Sequence, residues 1–151
     1  MFTRQKILLG LMKNVQKPMP KIQLVKLAFL FAQEKELPQL KSFYRFVPYK
    51  YGPFSFHLYH DLERMIDTGY LASTSKRAVS ISGKVLIPKT DNGIGFEIDT
   101  FLKKYGEKTA KQLTEHVYAS YPWFTINSSK PKQRKETRPV ADIAVYTAGY
   151  E

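Results

Sequence analysis

Residues 43–71, FYRFVPYKYGPFSFHLYHDLERMIDTGYL, decide how the chain folds. An aromatic-rich extended segment runs into Gly52-Pro53. Proline cannot donate a backbone hydrogen bond and fits the first helical turn, so the pair reads as a turn opening into a helix at about 54–68. Leu58, Tyr59, Leu62, Met65 and Ile66 then recur at i, i+1, i+4, i+7 and i+8, one face of that helix. Gly69 stands where a left-handed cap is expected, and Tyr70-Leu71 begins something extended. Helix, sharp stop and short strand is the order in which a winged-helix module passes from its third helix to its wing.

Upstream, Thr3 suits a helix N-cap, with Ile7, Leu8, Leu11, Met12 and Val15 as the buried face of a first helix. Pro18 and Pro20 end it. Pro20 can open a second helix, about 21–34, that is apolar nearly all round and so belongs at the centre of the domain. Lys21 and Lys26 are expected to snorkel from its margins. After Leu37-Pro38 the chain becomes extended through 43–50.

Downstream, residues 77–82 alternate around Val79 and Ile81, Gly83-Lys84 reads as a turn, and 85–87 returns, a hairpin of wing size. Asp91-Asn92-Gly93 is a turn cluster. Two short helices follow, 96–105 ending at Gly106 and 109–120 opened by a Thr109/Gln112 capping box. Leu113, His116 and Val117 share one side of the second, and the His116 ring is expected to bond near Trp123. The resulting expectation is a mainly α, single winged-helix-like domain with a small β-hairpin over residues 1–126. Residues 127–139 are polar, basic and aperiodic, a linker or loop. Residues 140–151 are β-prone, and either dock back or open a second domain.

The 151 residues are enough for one core. Cysteine is absent, which removes disulfides, thiolate catalysis and Cys-ligated zinc. No apolar run approaches the roughly 20 residues of a membrane span, and the N-terminus lacks signal-peptide features. A cytoplasmic protein is expected. Net charge is +11, and ten Lys/Arg stand against two acids in residues 1–50. Such a surface suits nucleic-acid or acidic-protein partners, or simply keeps the chain soluble.

Three separated landmarks carry a resemblance: KLAFLFAQ, FVPYKYGPFSFHLYHDL and YGEKTAKQLTEHVYASYPW. Through Lys26, Leu27, Tyr51, Gly52, Pro53, Leu58, Tyr59, Leu113, His116, Pro122 and Trp123, residues 5–125 resemble the Panacea domain, the SocA-like antitoxin family. The resemblance implies a helical, winged-helix-like scaffold that neutralises or delivers toxins by binding protein. AVYTAGYE at the C-terminus looks like the first strand of another, uncharacterised domain family.

The outward face of the third helix is expected to carry His57, His60, Asp61, Glu63, Arg64 and Asp67. Three acids against one Arg are the wrong sign for a helix lying in the major groove beside phosphates. His57 and His60 are helical neighbours without a third ligand at zinc-site spacing, so no metal is expected. No cofactor motif or paired catalytic carboxylates occur, and the chain is read as non-enzymatic. Alternation in the 43–51 segment places Tyr44, Phe46, Pro48 and Lys50 on one side, and Phe43, Arg45, Val47, Tyr49 and Tyr51 on the other. One side is core. The candidate partner-binding residues are Tyr44, Arg45, Tyr49, Lys50 and Tyr51, gripping a toxin-like or regulatory protein together with the wing. The alternative is nucleic-acid binding through the basic N-terminal third, Lys76, Arg77 and Lys84 of the wing, and Lys130, Lys132, Arg134 and Lys135. Sequence leaves the oligomeric state open, a homodimer included.

Overall fold

Helix α1 (Thr3–Met12) opens one residue earlier than its expected cap: Phe2 is the N-cap, and its N–H donates to Gln5 Oε1 at 3.1 Å. The side chain of Gln5 thereby satisfies the donor that Thr3 was expected to leave to the cap. Ile7, Leu8, Leu9, Leu11 and Met12 are buried, while Val15 falls past the helix end and is exposed. The computed structural model describes residues 1–15, 17–83 and 92–127. Among these the chain is mainly helical, with five α-helices and a small antiparallel sheet.

After a two-residue strand β1 (Met19–Pro20), α2 (Lys21–Glu34) takes the expected bounds. Eight consecutive residues, Leu24 to Phe31, are buried, so every side of this helix meets a neighbour. Phe29 stands edge-on to Phe46, Tyr121 and Phe124, and Phe31 to Phe101, contacts that draw distant segments onto one helix. Lys26 does not snorkel: it is 2% exposed and its Nζ donates to the carbonyl of Tyr51 at 3.1 Å. A short 3-10 helix (Pro38–Ser42) follows.

Where sequence suggests Gly52-Pro53 opening a helix, there is a hairpin. Strand β2 (Val47–Tyr49) pairs antiparallel with β3 (Gly52–Phe54), with Val47 opposite Phe54 and Tyr49 opposite Gly52. Proline's fixed φ suits an edge strand as well as a first helical turn, and the cap is supplied two residues later. Ser55 Oγ accepts from the Leu58 N–H at 3.1 Å, so α3 runs Phe56–Asp67. Its far end is as expected. Gly69 has φ +89, the Tyr70 N–H donates to the Met65 carbonyl at 2.9 Å, and the Gly69 N–H to that of Ile66 at 3.1 Å. This is a complete Schellman stop.

The expected wing is displaced by one strand. Its arms are β4 (Leu71–Ser75) and β5 (Ala78–Ile81), with Lys76-Arg77 at the turn. LASTS carries two adjacent apolar residues, Leu71 and Ala72, and no alternation, so it has no strand signature of its own. Lys76-Arg77 lacks turn residues because serines do their work: Ser73 Oγ donates to the Ser75 carbonyl, and the Arg77 N–H to Ser75 Oγ, beside a bulge at Ser73/Ser75. Residues 85–87 and the Gly83-Lys84 turn partner lie outside the described residues. β5 is central, in the order β1-β5-β4, and Met19, Leu71 and Val79 face the core.

Helix α4 (Asn92–Tyr105) begins inside the expected turn cluster, because Ile94, Ile98, Phe101 and Tyr105 form a continuous buried stripe. Helix α5 (Ala110–Ser120) has both hydrogen bonds of the Thr109/Gln112 capping box. A 3-10 turn (Pro122–Thr125) closes the described chain. One apolar core joins all five helices and the sheet. No helix among the described residues is long and apolar enough to cross a membrane. The linker and the β-prone tail, beyond residue 127, lie outside the described residues.

Candidate partner-binding surface

The β2–β3 hairpin has two unlike faces. Pro48 and Pro53 are opposite one another and both buried. Val47, Tyr49 and Phe54 lie on the other face and stay half exposed. Since proline lacks an N–H, putting both prolines inward buries apolar rings without stranding a donor.

The outward face continues into α3. Tyr49 and Phe54 have ring centroids 5.0 Å apart, Phe54 and Phe56 4.8 Å, Tyr49 and Phe56 5.5 Å, and Phe54 and Tyr59 4.7 Å. Phe56 is 52% exposed, and Tyr51 at the hairpin turn is 53% exposed. Lys21 Nζ lies 5.8 Å from the Tyr59 ring centroid, within cation–π range. The Lys21 N–H in turn donates to the Arg77 carbonyl at 2.7 Å, which ties the start of α2 to the wing turn. A continuous belt of ring contacts therefore runs from Tyr59 through Phe54 and Phe56 to Tyr49, with Lys21 over Tyr59. Burial raises the Tyr59 hydroxyl pKa, so this ring stays neutral.

The buried Lys26 ammonium holds the hairpin tip from below, through the Tyr51 carbonyl. Gly52 has φ +95, which a side chain would resist, and a Cβ there would touch Tyr118 at 3.5 Å. Carbonyl and glycine together fix the direction in which Tyr51 leaves the turn.

Of the residues expected to bind a partner, Arg45 and Tyr51 are exposed and Tyr49 and Lys50 partly so. Tyr44 is a correction: it is buried, and its hydroxyl donates to Asp61 Oδ2 at 2.7 Å. Phe43 and Tyr44 are both inside because the chain between the 3-10 helix and β2 is irregular, so strand alternation does not apply there. Asp61 corrects the expected outer face of α3. Its side chain is 1% exposed and also accepts from Arg4 Nε at 2.7 Å, with His57 Nε2 3.9 Å away. Burial alone would raise the Asp61 pKa; the hydrogen bonds from Arg4 and Tyr44 and the charge of Arg4 outweigh it and hold the carboxyl below its ordinary value. Arg4, packed over the Phe2 ring at 4.4 Å, is raised chiefly by its bond to Asp61. Burial first, then the bond to Asp61, pushes the Tyr44 hydroxyl far up. Nothing in the sequence near Asp61 signals this cluster, since Arg4 is 57 residues away.

The exposed polar residues of α3 are then His57, His60, Glu63, Arg64 and Asp67, two acids against one Arg. Arg64 Nε donates to His60 Nε2 at 3.1 Å. Among the described residues no three His, Asp or Glu converge as a metal site. His116 bonds Tyr105 Oη at 3.1 Å, not the neighbourhood of Trp123, whose ring packs on Phe124 and is 60% exposed. The Tyr105 hydroxyl donates to Glu34, so His116 Nε2 must donate to it in turn. Burial and the bond to Glu34 raise the Tyr105 pKa, and Lys104 completes the cluster 3.5 Å from Glu34. A cleft of about 730 Å³ between α1, α2 and α4 has Leu11, Met19 and Leu27 in its lining and both signs of charge, Asp99, Lys103 and Glu107.

Lys76 and Arg77, named for the nucleic-acid alternative, are exposed at the wing turn. Lys84, Lys130, Lys132, Arg134 and Lys135 lie outside the described residues. Comparison with protein-family models and with curated proteins finds no match to this chain.

Proposed function

We propose that this chain is a non-catalytic, winged-helix-like binding module, antitoxin-like or regulatory, that captures a protein partner in the cytoplasm. The observation that carries the reading is the aromatic belt. Tyr49, Phe54, Phe56 and Tyr59 form an unbroken series of ring contacts on the protein surface, with Tyr51 projecting beside them. Clustered, rigid aromatic side chains with little rotamer entropy are what protein interfaces use as anchors. The sheet order β1-β5-β4 with α1, α2 and α3 in the sequence of a winged helix supports the fold part of the reading, with β2–β3 inserted before α3. Residues that carry the Panacea resemblance also gather here: Lys26 bonds Tyr51, and Gly52 and Pro53 form β3.

The test is capture of protein from the native host by the chain and by a Tyr51→Ala/Phe56→Ala double variant, with near-UV circular dichroism as the folding control. The partner retained by the native chain should fall at least about 10-fold with the variant. Undiminished capture by a folded variant rejects the surface.

A second reading, nucleic-acid binding, is favoured by Lys21, Arg45, Lys76 and Arg77, which have no carboxylate within ion-pair distance among the described residues. It requires affinity for an oligonucleotide that falls steeply with salt. Absence of binding at about 50 mM salt removes it.

A further inference from the structure

Resting on the protein-recognition reading, we propose that Lys26 is a positioning residue for that surface: its buried ammonium fixes where Tyr51 points, and serves presentation rather than stability. Lys26 sits inside the unbroken buried run Leu24 to Phe31 of α2, where every other residue is Leu, Val, Ala or Phe. Taking an ammonium out of water is costly, and apolar residues that replace buried ionic groups often leave a fold as stable or more so. Packing therefore asks for no charge at this position. What the charge does reach is the hairpin. Lys26 is 2% exposed and its Nζ donates to the Tyr51 carbonyl at 3.1 Å, while Tyr51 itself is 53% exposed. A cation in the core thus grips the main chain of a residue that faces solvent.

The hairpin needs such a grip. β2 and β3 have three residues each, and a two-stranded ribbon is marginally stable at best in water. They are joined through Lys50 and Tyr51, neither of which has a positive φ, so Gly52 completes the reversal at φ +95. Glycine accepts φ of either sign, which leaves an unanchored tip other conformations to adopt. Two features select one of them. The Lys26 bond holds the tip to α2, and Gly52 lies against Tyr118, whose ring is 3.5 Å from where a Cβ would stand. Tyr51 is thereby ordered before any partner arrives, and an anchor ordered in advance loses less freedom on binding. On a loosened tip the same ring would have to be ordered at each encounter.

Lys26→Met in the full chain tests this through three readouts. They are the urea unfolding midpoint, the fluorine NMR line of Tyr51→p-trifluoromethylphenylalanine, and capture of the host protein that the native chain retains and Tyr51→Ala/Phe56→Ala loses. The midpoint should equal or exceed that of the native chain. The fluorine line should shift or split, and capture should fall about 3- to 10-fold. A variant that fails to fold, or whose midpoint falls in step with capture, overturns the inference, because the charge then serves the fold. An unmoved fluorine line overturns it too, since Lys26 would not set the tip. A moved line with undiminished capture shows that the direction of Tyr51 does not govern recognition, and also overturns it. In these cases protein recognition still stands if the Tyr51→Ala/Phe56→Ala variant loses the partner. If that double variant captures as well as the native chain, the recognition reading fails and the role of Lys26 fails with it.

Discussion

Two clusters of tyrosine and charge draw their aromatic residues from the one stretch 44–59, and they differ in what their polar groups meet. In one, Tyr44 and Arg4 converge on Asp61, and every charge and hydroxyl has its partner inside the fold. In the other, Tyr49, Phe54, Phe56 and Tyr59 line the surface beside Lys21, which has no carboxylate within 4.0 Å among the described residues. Composition alone does not separate them. What separates them is a single carboxylate: Asp61 draws Tyr44 and Arg4 inward, whereas Lys21 meets the Tyr59 ring and no carboxylate among the described residues. The first cluster fastens α1 to α3, and the second lines the surface on which the proposed recognition rests.

That contrast can be broken in several ways, beginning with the largest effect. Asp61→Ala leaves the Tyr44 hydroxyl buried without its acceptor and Arg4 without its carboxylate. Because Arg4 keeps some access to water, the loss should be about 2–3 kcal/mol rather than the full cost of an orphaned buried charge. Urea unfolding midpoints measure it. Tyr51→Ala/Phe56→Ala should leave the midpoint within about 1 kcal/mol of native while weakening partner capture at least about 10-fold. If the two variants exchange these phenotypes, the roles of the clusters are reversed.

Smaller changes sharpen the comparison. Tyr44→Phe should cost about 1.5–2 kcal/mol by removing one charge-assisted hydrogen bond, while Tyr51→Phe should cost nothing measurable. Gly52→Ala imposes a left-handed conformation on a side chain and should cost about 1 kcal/mol, with a parallel loss of binding if the direction of Tyr51 matters.

Protonation supplies the last comparison. The folded Asp61 pKa lies below its ordinary value of 3.8, so ionised Asp61 contributes stability that is complete above that value. The contribution is lost as pH falls through the lower, folded value. The stability gap between the native chain and Asp61→Asn should therefore stay constant from neutral pH to about pH 5 and shrink below pH 3.8. A gap that instead widened on acidification would mean that Arg4 and Tyr44 do not stabilise the carboxylate.

Much of the helical part was legible because its signals are local. Pro20 and the apolar run fix α2 at 21–34, Gly69 stops α3 within one turn, and Thr109 with Gln112 caps α5. The strands were less legible. LASTS has no alternation, Gly52-Pro53 reads equally as turn or edge strand, and the wing turn is made by serine side chains rather than by turn residues. Of the candidate surface, Arg45, Tyr49, Lys50 and Tyr51 could be named from their aromatic and basic character. Phe54, Phe56 and Tyr59 belong to the same aromatic run, but that they share one face with Tyr49 and Lys21 was not legible, since only the antiparallel pairing of β2 with β3 and the approach of α2 to the wing bring them together.

The sequence by itself determined the span of α2, the stop of α3 and the cap of α5, which helix is central and how much positive charge the molecule carries, because capping, periodicity and composition act within a few residues. Tertiary structure alone decided that Asp61 and Tyr44 turn inward, that Lys26 is buried under the hairpin, and that aromatic rings from β2, β3 and α3 form one belt. Those outcomes depend on which distant groups the packed fold brings within hydrogen-bonding or van der Waals range, and short-range signals carry no information about that.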